Sequence, residues 1–154
     1  MIRLLLLAVV ALAGSAAADM TDSAVPAEKI KPLMPKKLAG YEPSHVLDYP
    51  WSYAAAYTVD GGYANLDIHN TFHRATKDTR IEDDNASNKR LCPKKERVTG
   101  FTACVSVEDG GRTAIRWYLA DRLTVRIAAP TEKLARKMAA ELPIAKLAKL
   151  SAAK

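Results

Sequence analysis

Asp67, His69 and His73 are the residues of this chain whose types and spacing come nearest to catalytic or metal chemistry. A carboxylate beside an imidazole can orient a general base, and two histidines four apart on a helix can share a metal ion. The surrounding stretch "ANLDIHNTF", Ala64 to Phe72, instead alternates apolar and polar residues, which is the period of a β-strand. Four residues of strand hold the two histidines about 13 Å apart, too far to chelate one ion between them. Asp67 and His69 fall two apart and so share the polar face of that strand. The enzymatic reading is therefore a small hydrolase or metal-dependent enzyme built on Asp67 and His69, with His73 at its margin. The plainer reading of the same residues is a solvated outer face.

The two cysteines of the chain, Cys92 and Cys104, close the stretch "CPKKERVTGFTAC". A structural zinc ion needs four ligands in close array, and neither cysteine has a C-x-x-C partner or a histidine nearby. A redox pair normally reads C-x-x-C, which this is not. Compartment decides among the remaining possibilities. The chain opens "MIRLLLLAVVALAGSAAADM": Arg3 is a minimal basic region, Leu4 to Leu12 is apolar, and Ala16-Ala17-Ala18 is a small-residue cleavage site. That layout predicts a signal peptide over 1–18, removed before Asp19, because the apolar run is too short to span a bilayer. No cysteine follows it to carry a lipid anchor. Exported cysteines pair, so Cys92 and Cys104 are expected to form a disulfide, a short loop closure contributing roughly 3 kcal/mol.

The formal charge is +6, and loss of Arg3 takes it to +5. Basic residues gather in "KIKPLMPKK", in "KRLCPKKER" and near the C-terminus. Export argues against nucleic acid as the partner of this charge. An acidic protein or an anionic component of the cell envelope fits it better, although most such lysines in any protein are simply solvated.

What must position these groups is a sheet. Two Asp-Gly-Gly turns, at 60–62 and 109–111, separate runs of period two and call for hairpins. With a two-residue loop at Gly61-Gly62, Val59 faces Ala64, Tyr57 faces Leu66 and Ala55 faces Ile68, all apolar pairs. A three-residue loop at the second turn pairs Val107 with Thr113 and Val105 with Ile115, sets Glu108 opposite Arg112, and uses Gly111 for the left-handed position. A three-residue turn at 120–122 then pairs Trp117 with Val125 and Ile115 with Ile127. Strands are expected near 51–59, 63–72, 98–108, 112–119 and 123–129, with "SHVLDY" able to add a short one. Tyr49, Trp51, Tyr53 and Tyr57 could form a stacking platform, but this register buries most of them.

"PTEKLARKMAAELPIAKLAKL" carries Leu134, Met138 and Leu142 at helical spacing, with Thr131 as N-cap and a break at Pro143. The expected fold is α+β: a single domain over 19–154, an antiparallel sheet of about five strands with the C-terminal helical segment on one face. A polar loop is expected over 74–97, and the N-terminal "PAEKIKPLMPKKLAGY" wraps the sheet, with a helical turn after Pro26.

This register also places Arg116 directly opposite Arg126 on the outer face, flanked by Tyr118, Thr124, Ser106 and Cys104. Opposed like charges are destabilising. Either loop acids Glu82, Asp83 and Asp84 neutralise them, or an anionic ligand does, which makes Arg116, Arg126, Tyr118 and Ser106 the candidate binding residues. No nucleophile elbow, phosphate loop or zinc-protease motif is present, and no motif calls for a cofactor. The leading expectation is a non-enzymatic exported binding or accessory protein, of which an inhibitor or immunity-type protein is one form. The competing expectation is the Asp67/His69 enzyme.

Overall fold

The computed structural model describes residues 24–50, 52–70, 92, 94–120 and 122–153. The expected signal peptide and the expected polar loop from 74 to 91 lie outside the described residues. The strands are β1 (His45–Tyr49), β2 (Ser52–Val59), β3 (Gly62–Asn70), β4 (Lys94–Val98), β5 (Phe101–Val107), β6 (Thr113–Leu119) and β7 (Leu123–Ala129). Helix α1 (Ala27–Ile30) precedes them, and α2 (Glu132–Glu141) and α3 (Ile144–Ala152) follow. All strands join one antiparallel sheet in the order β1-β2-β3-β7-β6-β5-β4. The order reads as two meanders, β1 to β3 and β4 to β7, zipped together along β3 and β7.

The sheet has seven strands, not about five. "SHVLDY" does form edge strand β1. The other addition comes from a turn: the stretch expected as one strand over 98–108 folds back at Thr99-Gly100, pairing Val98 with Phe101. Both turn residues have positive φ, 53° for Thr99 and 83° for Gly100. A two-residue hairpin needs that conformation, but a β-branched residue seldom adopts it, so Thr-Gly gives little turn signal. Lys94 to Arg97, expected as the end of the polar loop, are therefore strand β4. Their charge suits an edge, where lysines discourage pairing with another chain.

The β5–β6 and β6–β7 registers are as expected, with Val105 opposite Ile115, Trp117 opposite Val125 and Arg116 opposite Arg126. The β2–β3 register differs by two residues: Val59 pairs with Gly62, Tyr57 with Ala64 and Ala55 with Leu66. The loop is Asp60-Gly61, and Gly62 already belongs to β3. A shift of two leaves every side chain on its expected face, because strand alternation repeats every two residues. It also sets the large Tyr57 against the small Ala64. Gly61 (φ 84°) and Gly62 (φ 136°) both require glycine.

The inner face carries Tyr53, Tyr57, Leu66, Ile68, Ile115, Trp117, Val125 and Ile127, all buried. Buried Trp117 still satisfies its indole, donating Nε1–H to the carbonyl of Val98 at 3.3 Å. Helices α2 and α3 cover this face through Ala135, Met138, Ile144 and Leu147. Thr131 caps α2, its hydroxyl accepting from the Leu134 amide at 3.2 Å, and Pro143 separates the two helices. The N-terminal wrap is tied down by polar groups as well as by Ile30 and Leu38. Asn70 exchanges two hydrogen bonds with the Val25 backbone, at 2.7 and 2.9 Å, and Glu141 accepts from the Ala39 amide at 2.8 Å.

Candidate functional site

The opposite face of the sheet is crossed by one transverse row in which Asp67, Arg126, Arg116, Cys104 and Lys95 are successive neighbours on β3, β7, β6, β5 and β4. On one side runs the row Asn65, Ala128, Ala114 and Ser106; on the other run His69, Thr124 and Tyr118. The face is not a bare solvated surface. Ala114, Ala128 and Thr124 are buried on it. Arg112 shows how: its Nη2 donates to Asn65 Oδ1 at 2.9 Å and to the Ala128 carbonyl at 3.3 Å, so its stem crosses this floor of small residues.

Arg126 is the centre of the arrangement. Its Nε donates to Glu108 Oε1 at 3.1 Å, its Nη2 bonds Glu108 Oε2, and its Nη1 donates to Asp67 Oδ2 at 2.7 Å. Arg116 shares Glu108 Oε1 more loosely, at 3.4 Å. The repulsion expected of the opposed arginines is thus relieved by Glu108 and Asp67. Glu82, Asp83 and Asp84, expected in that role, lie outside the described residues. Glu108 does stand across its turn from Arg112, whose carbonyl accepts the Glu108 amide at 2.7 Å. Its carboxylate, however, turns to Arg126 and Arg116.

Electrostatics follow from this geometry. Burial alone would raise the Glu108 carboxyl, but the Arg126 hydrogen bond and the charges of Arg126, Arg116 and Arg112 hold it below its ordinary value. Burial likewise opposes the charge on Arg126, yet the hydrogen bond and charge of Glu108, with Asp67, keep its pKa raised. Among the described residues three guanidiniums, Arg112, Arg116 and Arg126, face two carboxylates, Asp67 and Glu108, an excess of one formal positive charge.

The expected site residues are distributed as follows. Arg116, Arg126, Tyr118 and Ser106 all lie on the outer face, with the two arginines in direct opposition. Asp67 and His69 share that face in adjacent rows, but the Asp67 carboxylate is engaged by Arg126, which ties it to the ion network. His73 lies outside the described residues. Among the described residues, no three histidine, cysteine or acidic side chains are grouped so as to hold a metal ion. Cys92 and Cys104 form the expected disulfide, Cα atoms 5.3 Å apart, and Cys104 is the buried neighbour of Arg116. The disulfide fits an oxidising, exported compartment. No described helix is long and apolar enough to cross a membrane. The aromatic platform does not form: Tyr53 and Tyr57 are in the core, Tyr49 is exposed on β1, and Trp51 lies outside the described residues.

Glu108, Arg112 and Asn65 are the members of this cluster that the sequence did not nominate. Glu108 and Arg112 carried a signal, since their opposition was expected, but it read as turn closure. Asn65 becomes relevant only once β7 lies beside β3. Compared with known protein families, curated proteins and solved structures, the chain matches none of them.

Proposed function

We propose that this is a small exported, non-enzymatic binding or accessory protein, of the kind that includes inhibitors and immunity proteins, whose outer sheet face receives an acidic protein. The supporting observation is the positive excess of the arginine cluster among the described residues, set on a floor of buried small residues. Of the two opposed arginines Arg116 is the more loosely paired: its described ion pair is the 3.4 Å contact to Glu108, whereas Arg126 is held from two sides. Half-buried charges fixed in a sheet select and orient an oppositely charged partner while costing it little ordering entropy. Lys95, which continues the row of Arg126, Arg116 and Cys104 onto the edge strand, adds long-range attraction.

The test is capture from cell-envelope extract with the purified exported protein and with Arg116→Ser. The expected result is an acidic protein retained by the wild type, released by moderate salt and lost with Arg116→Ser. Identical capture by both proteins, or capture indifferent to salt, would remove the outer face from the function.

A further inference from the structure

We infer that Glu108 is an internal stand-in for a partner's carboxylate, filling the fork of Arg126 until an acidic peptide displaces it. The inference rests on the reading that the outer face binds an acidic protein, and it assigns the atoms at which binding occurs.

The two carboxylates on Arg126 are mounted differently. Asp67 sits within β3, hydrogen-bonded in the ladder between β2 and β7, and takes the Nη1 side of the guanidinium at 2.7 Å. Glu108 follows the last residue of β5 and precedes the turn Asp109-Gly110-Gly111, whose glycines have φ of 75° and 77°. Asp67 is fixed at its backbone between two strands, and its short side chain has little reach. Glu108 is also held at its backbone, its amide bonded to the Arg112 carbonyl at 2.7 Å. Its longer side chain, however, stands at the end of the hairpin and can rotate out of the fork, and Asp67 would keep Arg126 extended when it does. One carboxylate is a support and the other is replaceable.

The mode of contact names the ligand. Glu108 presents both oxygens to the Nε and Nη2 side of Arg126, the two-pronged arrangement by which arginine recognises a planar carboxylate. Arg116 reaches the same oxygen from the next strand. Departure of Glu108 leaves three guanidiniums facing Asp67 alone, and an incoming glutamate or aspartate side chain restores the original pairing. Arg112 points the same way: its buried Nε has no acceptor among the described residues, so the described cluster holds more donors than it satisfies. In this scheme Glu108 weakens binding and speeds release, and it keeps the arginines paired in the unbound protein.

The experiment titrates a hexaglutamate peptide into the purified exported protein by calorimetry at low ionic strength. Wild type, Glu108→Gln, Arg116→Ser and the double variant are compared. A neutral glutamine competes poorly for the fork, so Glu108→Gln is expected to bind about tenfold more tightly, and Arg116→Ser to weaken binding in both backgrounds. Equal affinity for wild type and Glu108→Gln, with Arg116→Ser still weakened, overturns the stand-in and leaves the binding face standing. Absence of peptide binding in all four proteins overturns both readings. Binding to phosphatidylglycerol vesicles in place of the peptide overturns the carboxylate assignment. Should Glu108→Gln fail to fold, the Arg126 Nε–H resonance of the wild type decides: it must shift on saturation with peptide, and a stationary resonance refutes displacement.

Discussion

Arg116 and Arg126 are paired in the sheet, yet their replacement should have unequal consequences. Arg126→Met keeps most of the side-chain length and removes the charge. It removes the described arginine from Asp67 and leaves Glu108 only the loose contact to Arg116, the two carboxylates being 35% and 27% exposed. Breaking a fully buried pair from one side costs about 3–5 kcal/mol. These carboxylates keep partial access to water, which screens them, so the expected loss is about 2 kcal/mol. For a domain of this size that lowers the melting temperature by about 6–10 °C. Arg116→Met removes one loose contact and also the repulsion from Arg126, so stability should stay within about 0.5 kcal/mol of wild type. Circular-dichroism melts at neutral pH and low salt measure both. Adding Asp67→Asn and Glu108→Gln to Arg126→Met should recover part of the loss, because the carboxylates it stranded are then neutral. Equal shifts for the two single variants would refute the unequal pairing of the two arginines, and so would a melting temperature for Arg126→Met unchanged from wild type.

Acid should act through the same network. The Glu108 carboxyl lies below its ordinary value of 4.5 in the folded protein, so its contribution is fully present above that value. It is lost as pH falls through the lowered folded value. Melts of Glu108→Gln against pH should accordingly show a shallower acid decline than wild type, and parallel curves would remove Glu108 from the linkage. A third expectation concerns the opposite face of the same strand. Ile115→Asp and Trp117→Asp each place a charge at a fully buried position and should prevent folding, while Arg116→Met between them folds. Soluble expression and amide dispersion in NMR spectra measure this, and similar behaviour of all three would contradict the alternation of β6.

The sequence made faces legible more readily than neighbours, and the reason is periodicity. Alternation in β2 and β3 assigns Tyr57 and Leu66 to the core whether Tyr57 stands opposite Leu66 or, as observed, opposite Ala64. Apolar matching tests the parity of a register and is blind to a shift of two. The β5–β6 and β6–β7 hairpins escaped that ambiguity because their turns offered one consistent loop length. Strand β4 was hidden by Thr99, whose side chain argues against the left-handed turn it nevertheless occupies.

The site depended on a different kind of information. Arg116 and Arg126 belong to consecutive strands, so a single turn brings them together and local reasoning could find them. Asp67 and Arg126 are separated by 59 residues and meet only because β7 docks beside β3 to join two meanders. Without that docking Asp67 has no arginine near it, and His69, two residues along the same strand, is the natural partner to assign. The change of neighbour changes the chemistry: a carboxylate beside an imidazole suggests proton transfer, whereas one clamped to a guanidinium suggests support. Glu108 presents the converse case. Its backbone partner Arg112 was legible from the turn, but its side chain leaves that partner for Arg126 and Arg116, where two cations meet and the need for a negative charge is greatest. Local pairing rules place the backbone of this cluster, and the balance of charge across three strands decides which side chains meet on it.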